Sequence, residues 1–343
     1  MRTMRAAVFH EFGGPEVVRV EEVPRPAPGP GEVLVEVKAA ALNHLDLWVR
    51  RGLPIETPMP HIGGSDVAGV VAELGPGVEG PAPGTPVVAN PSLWCGRCEW
   101  CIRGEHSLCV DYRILGEHTQ GGLAEAVVVP ASNLYPIPEG YDFAAAAAAP
   151  LVFLTAWRGL ITRGRLRPAE SVLVTGASGG VGTAAVQIAR RAGARVYAVT
   201  TAEHVERVRA LGADVVYDRE AVDYAREVWR DTGRRGVDLV FDSVGQAFWK
   251  QNLRALARGG RLVTYGATTG PAAETDIRLV FWKQLEIIGT TMSNRHEFEA
   301  VMGLVFRGEL RPVVDVVWPL ERAREAHERL EAGRQFGKVV LVP

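Results

Sequence analysis

The stretch Ser171 to Gly182, reading SVLVTGASGGVG, limits the architecture of this chain more than any other. A β-branched run stops abruptly at glycines, and a helical pattern over 183–192, with apolar Ala185, Val186, Ile188 and Ala189, begins at once. This is the strand–turn–helix of a dinucleotide site. A side chain at the turn would hold the backbone away from a pyrophosphate, and the phosphates need free N–H groups at the positive end of a helix. Ala177 stands where the G-x-G-x-x-G pattern has its first glycine. The context therefore carries the assignment: a strand before, a helix after and a second strand at 195–199. The residues expected to hold the cofactor at this turn are Gly176, Ala177, Gly179, Gly180, Val181 and Gly182.

The alternation continues. Strand patterns at 172–175, 195–199, 214–217, 237–242, 261–265 and 285–288 are separated by amphipathic helical segments such as 203–211 and 248–257. This predicts an α/β fold with a doubly wound parallel sheet of six strands. Ser243, Val244, Gly266 and Ala267 follow the fourth and fifth strands, on the rim where such sheets bind ligands.

Upstream the character differs. Short strand patterns at 6–9, 16–20, 32–38, 67–73, 85–89 and 123–129 alternate with turns rich in Gly and Pro, such as 23–31, and predict a barrel or sandwich. Helical segments at 295–307 and 321–331 and a last strand at 338–342 are expected to return to this part. A chain of 343 residues suits two domains, here 1–150 plus 292–343 and 151–291. A net charge of −2 offers no basic field to nucleic acid or an anionic membrane. No apolar run approaches the roughly 20 residues of a membrane span, and the N-terminus lacks a signal-peptide pattern, so a cytoplasmic protein with a small-molecule substrate is expected.

All four cysteines fall in one loop, 91–112, as Cys95-x2-Cys98-x2-Cys101-x7-Cys109. In a cytosolic chain this spacing predicts a metal cage rather than two disulfides. Four sulfur ligands suit one structural zinc and leave no open position for chemistry. His106, inside the loop, is read as a solvated residue.

Together these pieces resemble the medium-chain dehydrogenase/reductase superfamily, whose familiar members are the zinc alcohol dehydrogenases and the quinone oxidoreductases. The matching segments are Gly64-Ser65-Asp66-x-x-Gly69, Cys95 to Cys109, Ala177-x-Gly-Gly-Val-Gly182, Asp242-Ser-Val-Gly245 and Gly337-Lys-Val-Val-Leu341. The resemblance implies a GroES-like first domain, a Rossmann second domain and an active site in the cleft between them. It also implies three ligands for a catalytic zinc, and here their positions are Asn43, Ser65 and Leu151. Leu cannot ligate, and neutral Asn and Ser are poor zinc ligands.

Asn43-x-x-Asp46 is instead similar to the zinc-independent quinone and enone reductases, which move hydride to a polarised acceptor without metal. By that resemblance Asn43, Asp46 and Trp48 line the substrate site and Thr155 sits beside the nicotinamide. Their bland readings are a capping Asn43, an N-cap Asp46 and a core Trp48. Thr200, rather than an acid, ends the second strand, followed by Thr201 and His204, which favours NADP over NAD. Lys338 matches a basic residue near the family's pyrophosphate; its plain reading is a strand-edge lysine. The strand at 285–289 would be an exposed edge unless a second chain pairs with it, so a homodimer or homotetramer is expected.

Three functions stay open. One is a metal-free NAD(P)H-dependent quinone or enone reductase. The second is an alcohol dehydrogenase with an atypical catalytic zinc drawn from His44, Asp46, His61, Asp66 or His118. The third is a non-catalytic cofactor-binding protein.

Overall fold

The computed structural model describes residues 2–343. The chain forms two compact units, Met1–Leu151 with Ser293–Pro343, and Val152–Met292.

In the first unit the strand Glu32–Ala41 is the hub. It pairs antiparallel with Asp66–Leu74, Ala126–Pro130 and the last strand, Lys338–Val342. Its buried side chains Val33, Leu34, Val35 and Val37 meet Val67, Val71, Val127 and Leu341 in one core, while Glu36 and Lys38 stay exposed and pair with each other. Gly69 is required at the crossing with Glu36, because a Cβ there would lie 2.1 Å from the Glu36 carbonyl oxygen. A smaller sheet joins Arg19–Pro24, Thr3–Phe9 and His61–Ile62. The return of the chain brings in a strand that the sequence reading missed, Val314–Pro319, parallel to Lys338–Val342. The segment read as a strand at 16–20 is instead a 3-10 turn, Pro15–Val17, followed by a strand, Arg19–Pro24. Pro15 opens that turn, where its missing N–H costs nothing.

The second unit is a six-stranded, all-parallel sheet. In spatial order the strands are Val215–Asp218, Arg195–Thr200, Ser171–Val174, Val237–Asp242, Leu256–Thr264 and Glu286–Gly289. The order is third, second, first, fourth, fifth, sixth, so the direction of winding reverses between the first and fourth strands, where ligands bind in such sheets. The core is apolar on both faces of the sheet, with Leu173, Val199, Val240 and Leu262 fully buried. The helix Gly180–Arg191 starts directly after the glycine turn. The helical segment expected at 203–211 breaks into a 3-10 turn, Ala202–His204, and a short helix, Val205–Ala210. The expected helix over 248–257 stops at Ala255, where the fifth strand begins.

Candidate functional site

The glycine turn of the second unit has the geometry that close approach of a pyrophosphate needs. Gly176 has φ +59, and Gly182 sits so close to the turn that a Cβ would lie 2.2 Å from the Gly176 carbonyl oxygen. Gly179 is the N-cap of the 12-residue helix and supplies no side-chain cap. The first N–H groups of that helix thus remain available to an anion.

The rim around the turn is tied together by Asp242. Its buried carboxylate accepts from the Thr175 hydroxyl at 2.5 Å and from Gly245 N at 2.9 Å. Thr268 N donates to Ser243 O at 3.0 Å, and Thr269 N to Val244 O at 2.9 Å. The structure therefore brings Gly176, Ser243, Val244, Gly266 and Ala267 to one end of the sheet; a Cβ on Gly176 would be 3.8 Å from both Ser243 and Val244. Thr200 ends the second strand with its hydroxyl buried and unpartnered. His204 is placed otherwise than expected. It is 6 % exposed and lies 3.4 Å from Glu203, whose carboxylate would oppose a phosphate beside it. Thr155 is also buried, its hydroxyl 3.9 Å from the Met292 sulfur.

In the first unit Asn43, Asp46, Asp66 and Lys338 form one buried network. Asn43 is the N-cap of the helix His44–Arg51, and Asp46 on the first turn reaches back to Asn43 N at 2.7 Å and across to Gly64 N at 2.8 Å. The Asn43 side chain accepts from Lys338 Nζ at 2.5 Å and donates to Asp66 at 2.9 Å. Lys338 Nζ also pairs with Asp66 at 2.8 Å, and Leu151 N donates to the other Asp66 oxygen at 2.8 Å. Lys338 was expected as a counter-charge for the cofactor. Its ammonium is 3 % exposed and is neutralised within this unit by Asp66. Burial lifts the Asp46 carboxyl to about 6, against the opposing effect of the Asn43 and Gly64 N–H groups. Trp48 is half-buried, edge-on to His44 at 5.0 Å. Glu117, which nothing in the local sequence singled out, is buried near Asp46. A cavity of about 670 Å³ in this unit, lined by Met4, Val23, Trp94 and Leu115 among others, contains none of the expected site residues.

The four cysteines converge. Their sulfur atoms all lie within 4.8 Å of one another, with Cys95 and Cys101 at 4.0 Å. Tetrahedral zinc–sulfur bonds of about 2.3 Å put sulfurs about 3.8 Å apart, so this donor set fits the ion. Backbone N–H groups, that of Cys101 foremost, lower Cys98 to about 6, the direction a thiolate ligand needs. Among the described residues no other group of three or more His, Cys, Asp or Glu side chains is arranged to hold a metal. His106 is not simply solvated; its Nδ1 accepts from Arg295 N at 3.2 Å.

Residues 180–307 match the zinc-binding dehydrogenase family and residues 29–139 the alcohol dehydrogenase GroES-like domain. The chain is 31% identical to quinone oxidoreductase of Rattus norvegicus, over 99% of this chain and 98% of that one. It is 33% identical to acryloyl-coenzyme A reductase of Metallosphaera sedula, over 98% and 99%. A crystal structure of an NAD-dependent alcohol dehydrogenase superposes with a TM-score of 0.95 at 48% identity, covering 99% of this chain and 100% of that chain.

Proposed function

This chain belongs to the medium-chain dehydrogenase/reductase superfamily of the zinc-containing alcohol dehydrogenases, and from that membership we propose that it is a reductase of quinones or of C=C bonds conjugated to a carbonyl, working without a catalytic zinc. At the coarser level it is an NAD(P)-dependent oxidoreductase with a structural zinc site in its four-cysteine lobe. The observation that carries the finer reading is the donor set where relatives hold a catalytic zinc. Asn43 Oδ1 is occupied by the Lys338 ammonium, a cation that opposes a second cation beside it, and Leu151 brings no donor side chain. The relatives named as quinone oxidoreductase and acryloyl-coenzyme A reductase support the same acceptor class.

The reduced nicotinamide supplies the hydride. In this reading Asn43, Asp46 and Trp48 orient the acceptor. Gly176 to Gly182 take the pyrophosphate, Ser243, Val244, Gly266 and Ala267 border the cofactor, and Thr155 borders the nicotinamide. The unpartnered Thr200 hydroxyl, at the strand end where an acid would select NAD, favours NADP. The chain pairs as a homodimer through its last parallel strand.

A second reading, an alcohol dehydrogenase with an atypical zinc, draws on the name of the 48% identical structure. Metal analysis separates the two. The purified protein is expected to hold about one zinc per chain, lost with the cysteines, and to oxidise NADPH with quinones and enones. About two zincs per chain, with turnover of alcohols only, would overturn the reductase.

A further inference from the structure

The cavity of about 670 Å³ in the first unit lies outside the site described above, and none of its lining residues has a role in the proposed reduction. Strands of two sheets face it. Thr3–Phe9 and Arg19–Pro24 bring Met4 and Val23, and Ala126–Pro130 brings Val128. A third wall is the short hairpin in which Ser92–Leu93 pairs with Arg113–Ile114. This hairpin flanks the four-cysteine lobe and adds Trp94 and Arg113 to the lining. The volume falls within the roughly 300–1,000 Å³ of small-molecule sites.

Most polar side chains of the lining are engaged in holding these walls together. Gln120 accepts from Ile62 N at 2.7 Å and donates to Pro60 O at 2.8 Å. Asn133 Nδ2 donates to Asn90 O at 2.8 Å and to Ser92 O at 2.5 Å. The Ser132 hydroxyl donates to Asn133 Oδ1 at 3.2 Å and the Thr119 hydroxyl to Gln120 O at 3.4 Å. Glu32, the one acid of the lining, turns a carboxylate oxygen to Gly29 N at 2.9 Å. The walls are therefore preformed and mainly apolar where they face the cavity. Arg113 is the exception. Its side chain is exposed, and among the described residues no acid pairs with its guanidinium. Arg5, Arg50, Arg165 and Arg261 each have an acid partner.

An unpaired guanidinium on the lining of a preformed apolar cavity selects its ligand by charge and by surface. A carboxylate can take two parallel N–H groups of the fork, whereas a cation would be repelled. Apolar walls give nothing to the many oxygens of a sugar or a phosphate ester, which would lose their water without replacement. We propose that this cavity is a binding site for a medium-chain carboxylic acid, with the carboxylate on Arg113 and the hydrocarbon chain against Val23, Val128 and Trp94. The site is separate from hydride transfer and holds whichever acceptor the protein reduces.

The test is calorimetric titration of the zinc-loaded, NADPH-saturated protein with decanoate and with decan-1-ol, the same chain without the charge. Wild type should bind one decanoate per chain, and decan-1-ol about 10-fold more weakly. Arg113→Gln should weaken decanoate about 10-fold and leave decan-1-ol unchanged. Val23→Trp fills the cavity and should abolish binding of both, with a melting temperature and NADPH affinity that match wild type. No decanoate binding in wild type, decan-1-ol as tight as decanoate, or wild-type affinity for decanoate in either variant overturns the proposal. Should Val23→Trp fail to fold, Arg113→Gln decides alone, since its side chain is exposed and supports no other group. Enone and quinone turnover do not enter the readout, so a failed reductase reading leaves the outcome as it is.

Discussion

Asp46 and Glu117 show how burial, rather than sequence neighbours, sets the charge of an acid in this protein. Both are held above their ordinary values, 3.8 and 4.5, at about 6 and about 7, with burial the leading cause for each. These two acids therefore bind more protons in the folded chain than in the unfolded chain between about pH 4 and 7, and their contribution to stability falls as pH rises through that window. Removing one of the acids should remove part of that loss. Glu117→Gln is expected to melt about 2 °C above wild type on the alkaline side of neutrality and level with it near pH 4. Thermal unfolding followed by circular dichroism at the two pH values checks this, and an equal shift at both would mean that the gain is not electrostatic. None of this was visible in the local sequence. The charge of Asp46 acts on Glu117 because the loop at 116–123 closes on Gly63 and Gly64, segments some fifty residues apart. The bland readings of Asn43 and Asp46 were partly right, since both cap the helix His44–Arg51, but the Asn43 side chain is spent on Asp66 and Lys338.

At the scale of elements, what was legible followed from local rules. The glycine turn and the strand–helix alternation repeat every few tens of residues, and the order of the six parallel strands is the one such alternation implies. The four cysteines lie within one short loop, so their convergence needed no tertiary information. The strand Val314–Pro319 was missed because its stability comes from pairing with Lys338–Val342 rather than from its own pattern. His204 looked open to the cofactor in sequence, but a 3-10 turn at Ala202–His204 buries it. The turn itself tolerates little change. In Gly182→Ala the new methyl carbon would meet the Gly176 oxygen at 2.2 Å and the Ala177 Cα at 2.7 Å, both backbone atoms that cannot swing aside. The displacement should cost about 1–3 kcal/mol of stability and weaken NADPH binding together with it. Calorimetric melting and fluorescence titration of the cofactor would show both losses; a variant that binds NADPH as wild type does would mean that the turn is not the phosphate site.

For the whole molecule, one edge of the parallel sheet combines an open strand with exposed apolar side chains. The last strand, Glu286–Gly289, pairs on one side only, with Leu256–Thr264, leaving a row of backbone groups open. Beside it, the helix Ile277–Lys283 exposes Ile277 at 73%, Phe281 at 62% and Trp282 at 68%, and Ile287 of the strand is 43% exposed. An open strand edge with large apolar side chains next to it is costly in water and suits pairing with a second copy about a twofold axis, where each strand would extend the other's sheet. In that arrangement one bulky apolar contact is repeated by symmetry, so a charge introduced there is felt twice. The double variant Trp282→Glu with Ile287→Lys should therefore sediment as a monomer of 37.1 kDa, while wild type sediments at about twice that mass. The sheet core beneath, including Leu262 and Val263, is fully buried within the unit, so the variant should keep its fold and its cofactor affinity. Analytical ultracentrifugation over a range of concentrations decides the matter. A wild type that remains monomeric would assign the apolar edge to some other contact, and a variant that still dimerises would move the interface elsewhere on the chain.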